Sequence, residues 1–280
     1  MKKSHLKISF LTLILSLSSA PISLALEMPT KYEAVQGNSL EVNIPRGKHT
    51  YIEATFEGQS LLFQKQTDQF KAYLGINRLT EPGLKELKIM LFTPGIGSEY
   101  VTIPVNVKKT SFITQHFTLP KKTQKLFEKD YQTPTWEMIY TAMENPIIDP
   151  VWTDKFKLPT TGRITLGFGD KLYINKKYSG SHFGIDYANK KGTPIYATNS
   201  GTIKLASMTP AYGNVILIDH GLNIYSMYLH LDSFDVQAGD QVEQGDLIGK
   251  IGSTGLAEGP HLHFTMFVGK TVVNSDQWIN

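Results

Sequence analysis

Side chains that alternate apolar and polar with a period of two, in short runs broken by glycine and proline, recur along most of this chain and restrict it to a mainly β fold. Between Leu26 and Thr118 the runs are Leu40, Val42 and Ile44; Tyr51 to Phe56; Leu61 to Phe63; Phe70 to Ile76; Leu87 to Phe92; and Tyr100 to Val107. Turns fall at Gly58, Pro82-Gly83 and Pro94-Gly95. Strands this short and this regularly interrupted predict an Ig-like β-sandwich over residues 26–118. Over residues 119–158 the pattern changes: a lysine-rich stretch precedes Thr133-Pro134, and Trp136, Ile139, Tyr140 and Met143 follow at helical spacing. Thr133 suits an N-cap and Pro134 a first helical position, while Pro146 and Pro150 close the segment. A helical linker that packs one face on a neighbouring domain is predicted. From 159 to 280 the β pattern returns with many glycines, as in an antiparallel sheet with tight turns, and Ala238 to Gly249 reads as a hairpin with glycine corners.

Residues 1–25 have the layout of a secretory signal. Lys2, Lys3 and Lys7 precede an apolar run from Ile8 through Leu17, and the small side chains Ser23 and Ala25 place cleavage after Ala25. The run is short for a bilayer core of about 30 Å, so cleaved export to the periplasm or cell envelope is expected, with no stable membrane anchor. Taking those three lysines from the 28 basic residues leaves 25, against 25 acidic ones, so the sequence pI near 8.8 gives no argument for nucleic acid binding in the mature chain. The chain has no cysteine, which excludes disulfides, thiol catalysis, cysteine-based zinc sites and lipoprotein attachment. Neither a phosphate-binding glycine loop nor a dinucleotide fingerprint is present.

Five of the eight histidines follow residue 160. In His182-Phe183-Gly184-Ile185-Asp186 an imidazole and a carboxylate, both good zinc donors, flank a glycine that lets the backbone bring both to one ion. In His261-Leu262-His263-Phe264-Thr265-Met266, alternation puts His261, His263 and Thr265 on one strand face and Leu262, Phe264 and Met266 on the other, in a core. The two imidazoles then open into the same space, as a metal ligand and a neighbouring catalytic group require. The same rule groups Ser226, Tyr228 and His230 on one face, and Met227, Leu229 and Leu231 on the other. Singly, each motif also has a plain structural reading. His49 and His116 stand alone and read as structural residues.

The order and surroundings of these motifs, with the Ile218-Asp219-His220-Gly221 turn and the Gly255 to Phe264 segment, resemble the lysostaphin-type zinc metalloendopeptidases that hydrolyse peptidoglycan. The similarity runs from about Gly162 to about Val273. It implies that His182, Asp186 and His263 are ligands of one Zn2+ per chain, that His230 and His261 are catalytic, and that His220 is structural. It also implies a metallopeptidase domain over 159–280 acting on peptidoglycan stem peptides. Residues 26–118 resemble accessory β-domains found ahead of such peptidases in some Gram-negative bacteria, which favours the D-Ala to diaminopimelate cross-link as the bond cut. Two imidazoles and a carboxylate leave a fourth zinc position open. No His-Glu-x-x-His segment exists, so a histidine must serve as base, and the residues alone do not choose between His230 and His261. Glu258 and Thr265 depart from the family pattern, Thr265 standing where a Glu is common; both bear on substrate preference and leave the ligand set intact. Two rival readings are a non-catalytic cell-wall module that activates another hydrolase, and a biotinyl or lipoyl carrier. The first is disfavoured because every ligand position is filled, the second because the 238–252 segment lacks a modifiable lysine motif.

Overall fold

Where the sequence alternates most strictly, at Tyr51–Phe56, the buried residues are Ile52, Ala54 and Phe56 and those between are exposed. The computed structural model describes residues 27–118 and 131–279, so the expected signal segment and the lysine-rich start of the linker lie outside the described residues. Tyr51–Phe56 belongs to a five-stranded sheet ordered Tyr32–Val35, Gly97–Lys108, Gly83–Thr93, Tyr51–Phe56, Gln59–Ser60, whose first pair is parallel and whose other pairs are antiparallel. A smaller sheet orders Ser39–Pro45, Gln69–Gly75, Gln64–Lys65. Val42, Ile44, Phe70 and Leu74 of the smaller sheet share one core with Phe56, Leu87, Leu91 and Val105 of the larger. Each such side chain contributes roughly 1.5–3 kcal/mol by leaving water. Leu61–Phe63, expected as a strand, is instead the crossing between sheets, because Gln59–Ser60 pairs in the larger one and Gln64–Lys65 in the smaller.

The helix spans Gln132–Ala142 and so begins slightly before the expected start. Tyr131 is its N-cap, without a side-chain capping bond. Pro134 is accommodated in the first turn, where no intrahelical donor is required. Ile139 and Met143 enter a core with Val215, Leu217, Tyr225, Met227, Leu229 and Phe267, which seats the helix on the C-terminal sheet. Thr135 strengthens this seat: its hydroxyl donates to the Tyr131 carbonyl at 2.8 Å and accepts from the Ala211 N–H at 2.9 Å.

The C-terminal sheet is antiparallel. Its strands run Arg163–Leu166, Ile185–Ala188, His261–Val268, Ile224–Phe234, Gly213–Asp219, Gly201–Thr209, Gln241–Val242 in spatial order. Leu262, Phe264, Met266, Tyr228, Ile216 and Ile218 line a core on the face away from the helix. The mainly β architecture with one described helix is therefore as expected. Ala238–Gly249 departs from the expected hairpin. Gln241–Val242 pairs with Gly201–Thr209, whereas Leu247–Ile251 pairs with Pro194–Tyr196 and Ile224–Phe234. The segment is a corner between partners, turned by Gly239 and Gly245 at φ 96° and 95° and closed by Asp240 and Asp246 side chains that accept main-chain N–H groups. A further small sheet joins the two halves: Thr114–Phe117 pairs parallel to Lys171–Ile174, which pairs antiparallel to Lys177–Ser181.

His220 lies in the core. Its Nδ1 donates to the Ser200 carbonyl at 2.7 Å, its Nε2 stands 2.8 Å from the Ser226 hydroxyl, and the Phe156 ring packs on it edge-on. Burial pushes its pKa down to about 4 from an ordinary 6.5. The unfolded chain therefore binds more protons between those values, so this stabilisation is complete above pH 6.5 and fades as pH falls toward 4. Denaturant unfolding at pH 7 and pH 5 should show that H220N removes about 2 kcal/mol of the stability lost between the two pH values. An unchanged pH dependence would contradict the assignment of a neutral buried imidazole.

Candidate metal centre

The register of two neighbouring strands builds the centre. Ile185–Ala188 and His261–Val268 pair with Asp186 opposite His263 and Ala188 opposite His261. His182 precedes the first of these strands, at the end of the Lys171–Ser181 hairpin. The outcome is a triangle of atoms: His182 Nε2 to Asp186 Oδ1 is 3.0 Å, His263 Nδ1 to Asp186 Oδ1 is 2.9 Å, and His182 Nε2 to His263 Nδ1 is 2.9 Å. All three residues are buried.

Hydrogen bonds on the far sides of the rings decide what those atoms carry. His182 Nδ1 donates to the Gly167 carbonyl at 2.9 Å, so its Nε2 holds a lone pair. His263 Nε2 lies 3.0 Å from Thr265 Oγ1, a hydroxyl that accepts from an N–H there in the tautomer that leaves Nδ1 with the lone pair. In that tautomer two imidazole lone pairs and a carboxylate oxygen converge with no donor among them. Such a set repels itself unless positive charge enters it. The ionisation of the group follows the same logic. Burial pulls His182 down and the Asp186 carboxylate more than offsets it, so its pKa rises. Burial also pushes Asp186 up, but hydrogen bonds from His182 and His263, in the states where those nitrogens carry a proton, prevail and hold its carboxyl well below the ordinary range. Burial takes His263 down to about 4. Donor atoms around one tetrahedral zinc, each about 2.0–2.1 Å from the ion, lie roughly 3.3 Å apart, so the triangle has the right size to within a few tenths of an ångström.

Gly184 is required here for a reason other than backbone turning. A Cβ at this position would stand 2.3 Å from the Phe264 carbonyl oxygen, 2.6 Å from His263 Nε2 and 2.7 Å from Thr265 Oγ1, so only a bare backbone lets the strand approach the His263 ring.

His230 and His261 lie beside the triangle. Their ring centroids are 4.8 Å apart, and His261 Nε2 is 3.9 Å from Asp186 Oδ1. His230 Nδ1 donates to the Thr254 carbonyl at 2.8 Å and His261 Nδ1 to the Gly259 carbonyl at 2.9 Å, so Nε2 is the acceptor nitrogen in the neutral form of each ring. Burial, aided by the neighbouring His261 and His263, lowers the His230 pKa to about 3.

The position of His230 corrects the alternation argument. Met227 and Leu229 pair with Thr265 and His263 and so share their face, while Ser226 and Tyr228 share the opposite face. Strict alternation would put His230 with Tyr228, away from the triangle. Instead, Asn214 pairs with Leu231 and Ile216 with Tyr228, so Leu229 and His230 both oppose the single residue Val215. This is a β-bulge, with His230 at φ 65°. It re-aims the ring toward His261 and His263, and it moves Leu231 into the core of Tyr228 instead of that of Leu229.

The sequence reading missed the partners that set the tautomers, the Gly167, Thr254 and Gly259 carbonyls. It placed Thr265 on the face of His263 and noted it as a departure from family pattern, but did not make it the partner of the His263 ring. It also missed a row of rings from the helix: Trp136 packs edge-on to Phe183 at 5.4 Å, and Phe183 lies 4.4 Å from the His263 ring. Tyr212 meets both Trp136 and His230, and its hydroxyl bonds the Gln132 side chain.

A β-sheet unit that gathers two histidines and an aspartate into one buried triangle, with two more imidazoles alongside, is that of a metallopeptidase. Residues 180–275 match the Peptidase family M23 model, and this part of the chain is an M23 domain, of the same family as the lysostaphin-type enzymes, with a His-Asp-His metal site. The chain is 33% identical over 177 residues to a Buchnera aphidicola protein named an uncharacterized metalloprotease, covering 60% of this chain and 46% of that one. It is 34% identical over 122 residues to the Vibrio cholerae peptidoglycan DD-endopeptidase ShyA, covering 43% of this chain and 28% of that one. The matched stretches thus span less than half of these curated relatives. A Pseudomonas aeruginosa crystal structure described as a peptidase M23 superposes with a TM-score of 0.61 at 25% identity, covering 85% of this chain and 91% of that one.

G184A should displace His263 and weaken zinc binding by roughly 10- to 100-fold, measured by competition with a chromophoric chelator. Wild-type affinity in a folded G184A protein would show that the close approach does not shape the site.

Proposed function

We propose that this chain is an exported, zinc-dependent endopeptidase that hydrolyses peptide cross-links of peptidoglycan, as a D,D-endopeptidase at the D-Ala to diaminopimelate bond. The observation that carries this reading is the convergence of three lone-pair atoms with two further imidazole nitrogens at their side. His182, Asp186 and His263 would hold one zinc ion. Bound there, zinc supplies a Lewis acid that polarises a carbonyl and acidifies water.

His230 and His261 are the proton-handling residues in this proposal. Both Nδ1–H groups are engaged by main-chain carbonyls, so each ring enters the reaction as an acceptor through Nε2. Burial keeps His230 neutral down to about pH 3, which preserves that role at any physiological pH. A ring that has taken the proton of the attacking water becomes a donor, fit to return it to the leaving amine or to hold the tetrahedral oxyanion. With the two rings side by side, the one that takes the water proton turns donor while the other stays an acceptor.

The peptidoglycan DD-endopeptidase name of the Vibrio cholerae relative supports the substrate class, and stem peptides are the partner it implies. Two sheets closed on one core support an Ig-like accessory domain over 26–118, ahead of a helical linker over 119–158 and the metallopeptidase domain over 159–280. Among the described residues no helix is long and apolar enough to cross a membrane.

Purified sacculi digested with the mature protein and then with a muramidase should yield uncross-linked in place of cross-linked muropeptides, identifiable by mass, and a chelator should abolish the conversion. Intact cross-links after digestion by zinc-loaded protein would overturn the reading in favour of a non-catalytic module. H230A and H261A should each lower turnover by roughly 10²- to 10³-fold while still binding zinc.

A further inference from the structure

Three main-chain and ring bonds fasten the first ligand, His182, to one turn, Gly167–Asp170. Its ring donates to the Gly167 carbonyl, its N–H donates to the Asp170 carbonyl at 2.8 Å, and its carbonyl accepts from the Gly169 N–H at 2.8 Å. The placement of His182 is therefore the placement of this turn. What holds the turn is the Asp170 carboxylate, which accepts the Gly167 N–H at 3.1 Å. That carboxylate is buried, with the residue 5% exposed, and its other partner is the side chain of Gln115, which donates to the same oxygen at 3.3 Å.

Gln115 lies far upstream, on the strand Thr114–Phe117 that runs beside Lys171–Ile174. The pairing extends at both ends, through Lys171 N–H to the Ile113 carbonyl at 2.7 Å and Asn175 N–H to the Phe117 carbonyl at 2.8 Å. Phe112, just before this strand, lies flat on Gly169: a Cβ there would stand 2.2 Å from the ring. The segment 112–117 thus grips the turn by a strand pairing, a ring contact and a part-buried amide to carboxylate bond.

We propose that Asp170 is a positioning residue for the metal ligand His182, and that Gln115 holds Asp170 in place, so that the segment 112–117 helps to set the affinity of the centre for zinc. The proposal rests on the reading of His182 as a zinc ligand. Asp170 acts by geometry: it caps the turn whose carbonyl fixes the His182 tautomer. An asparagine retains the acceptor for the Gly167 N–H, and an alanine does not.

The test is zinc affinity of the full mature protein, by competition with a chromophoric chelator, on variants whose folding is checked by circular dichroism and thermal melting. D170A should bind zinc roughly 10- to 100-fold more weakly, and Q115A should shift affinity in the same direction to a smaller extent. D170N should restore binding close to wild type, and excess zinc should restore D170A turnover. A folded D170A with wild-type affinity overturns the proposal, as does a D170N that binds as poorly as D170A. If D170A fails to fold, Q115A decides: unchanged affinity overturns the proposal. H182A in the same titration separates the two readings. If H182A binds zinc as tightly as wild type, the ligand assignment itself fails; if H182A loses binding while D170A and Q115A keep it, only the positioning role fails.

Discussion

Two ring nitrogens and one carboxylate oxygen, each bearing lone pairs and each within 3.0 Å of the other two, form a group that chemistry would disperse if the surrounding fold did not hold it. Its persistence is explained by the number of constraints outside the triangle. The strand register sets Asp186 against His263, a missing Cβ at Gly184 admits the His263 ring, and a carbonyl behind His182 and a hydroxyl behind His263 let both rings turn a lone pair to the centre. Low dielectric in the buried pocket raises the cost of leaving the arrangement uncompensated, and by the same token raises the gain when a cation completes it.

The two halves of the centre were legible in the sequence to different degrees. His261 and His263 lie on a regular strand, where a period of two is sufficient to predict a shared face, and Leu262, Phe264 and Met266 do fill the opposite core. His230 defeats the same rule. One additional residue opposite Val215 inverts its side, and no local feature of Tyr228-Leu229-His230-Leu231 announces a bulge. Motif order grouped it with His261 all the same, because it reports positions in a family and is indifferent to pleat.

Architecture shows a similar division. The β character and the helix follow from local patterning, whereas pairing partners depend on contacts distant in sequence. Leu61–Phe63 has the apolar content of a strand yet carries the chain between sheets, and the glycine-cornered segment near Gly245 has the rhythm of a hairpin yet serves two different neighbours. Asp170 and Gln115, 55 positions apart, meet only because Thr114–Phe117 leaves the N-terminal sheets to pair with a hairpin of the other half.

The sequence separation within the triangle has a consequence for the lifetime of the protein. Asp186 and His182 come from one stretch of chain and His263 from another 81 residues beyond His182. An ion gripping them would close a long loop in a chain without cysteine and so act as a removable staple in place of a covalent one. Because the folded form alone offers the finished grip, free zinc in the surroundings biases the chain toward the folded state by mass action. Metal scarcity would then not only silence such a protein but also loosen it, exposing it to degradation in the compartment where it works.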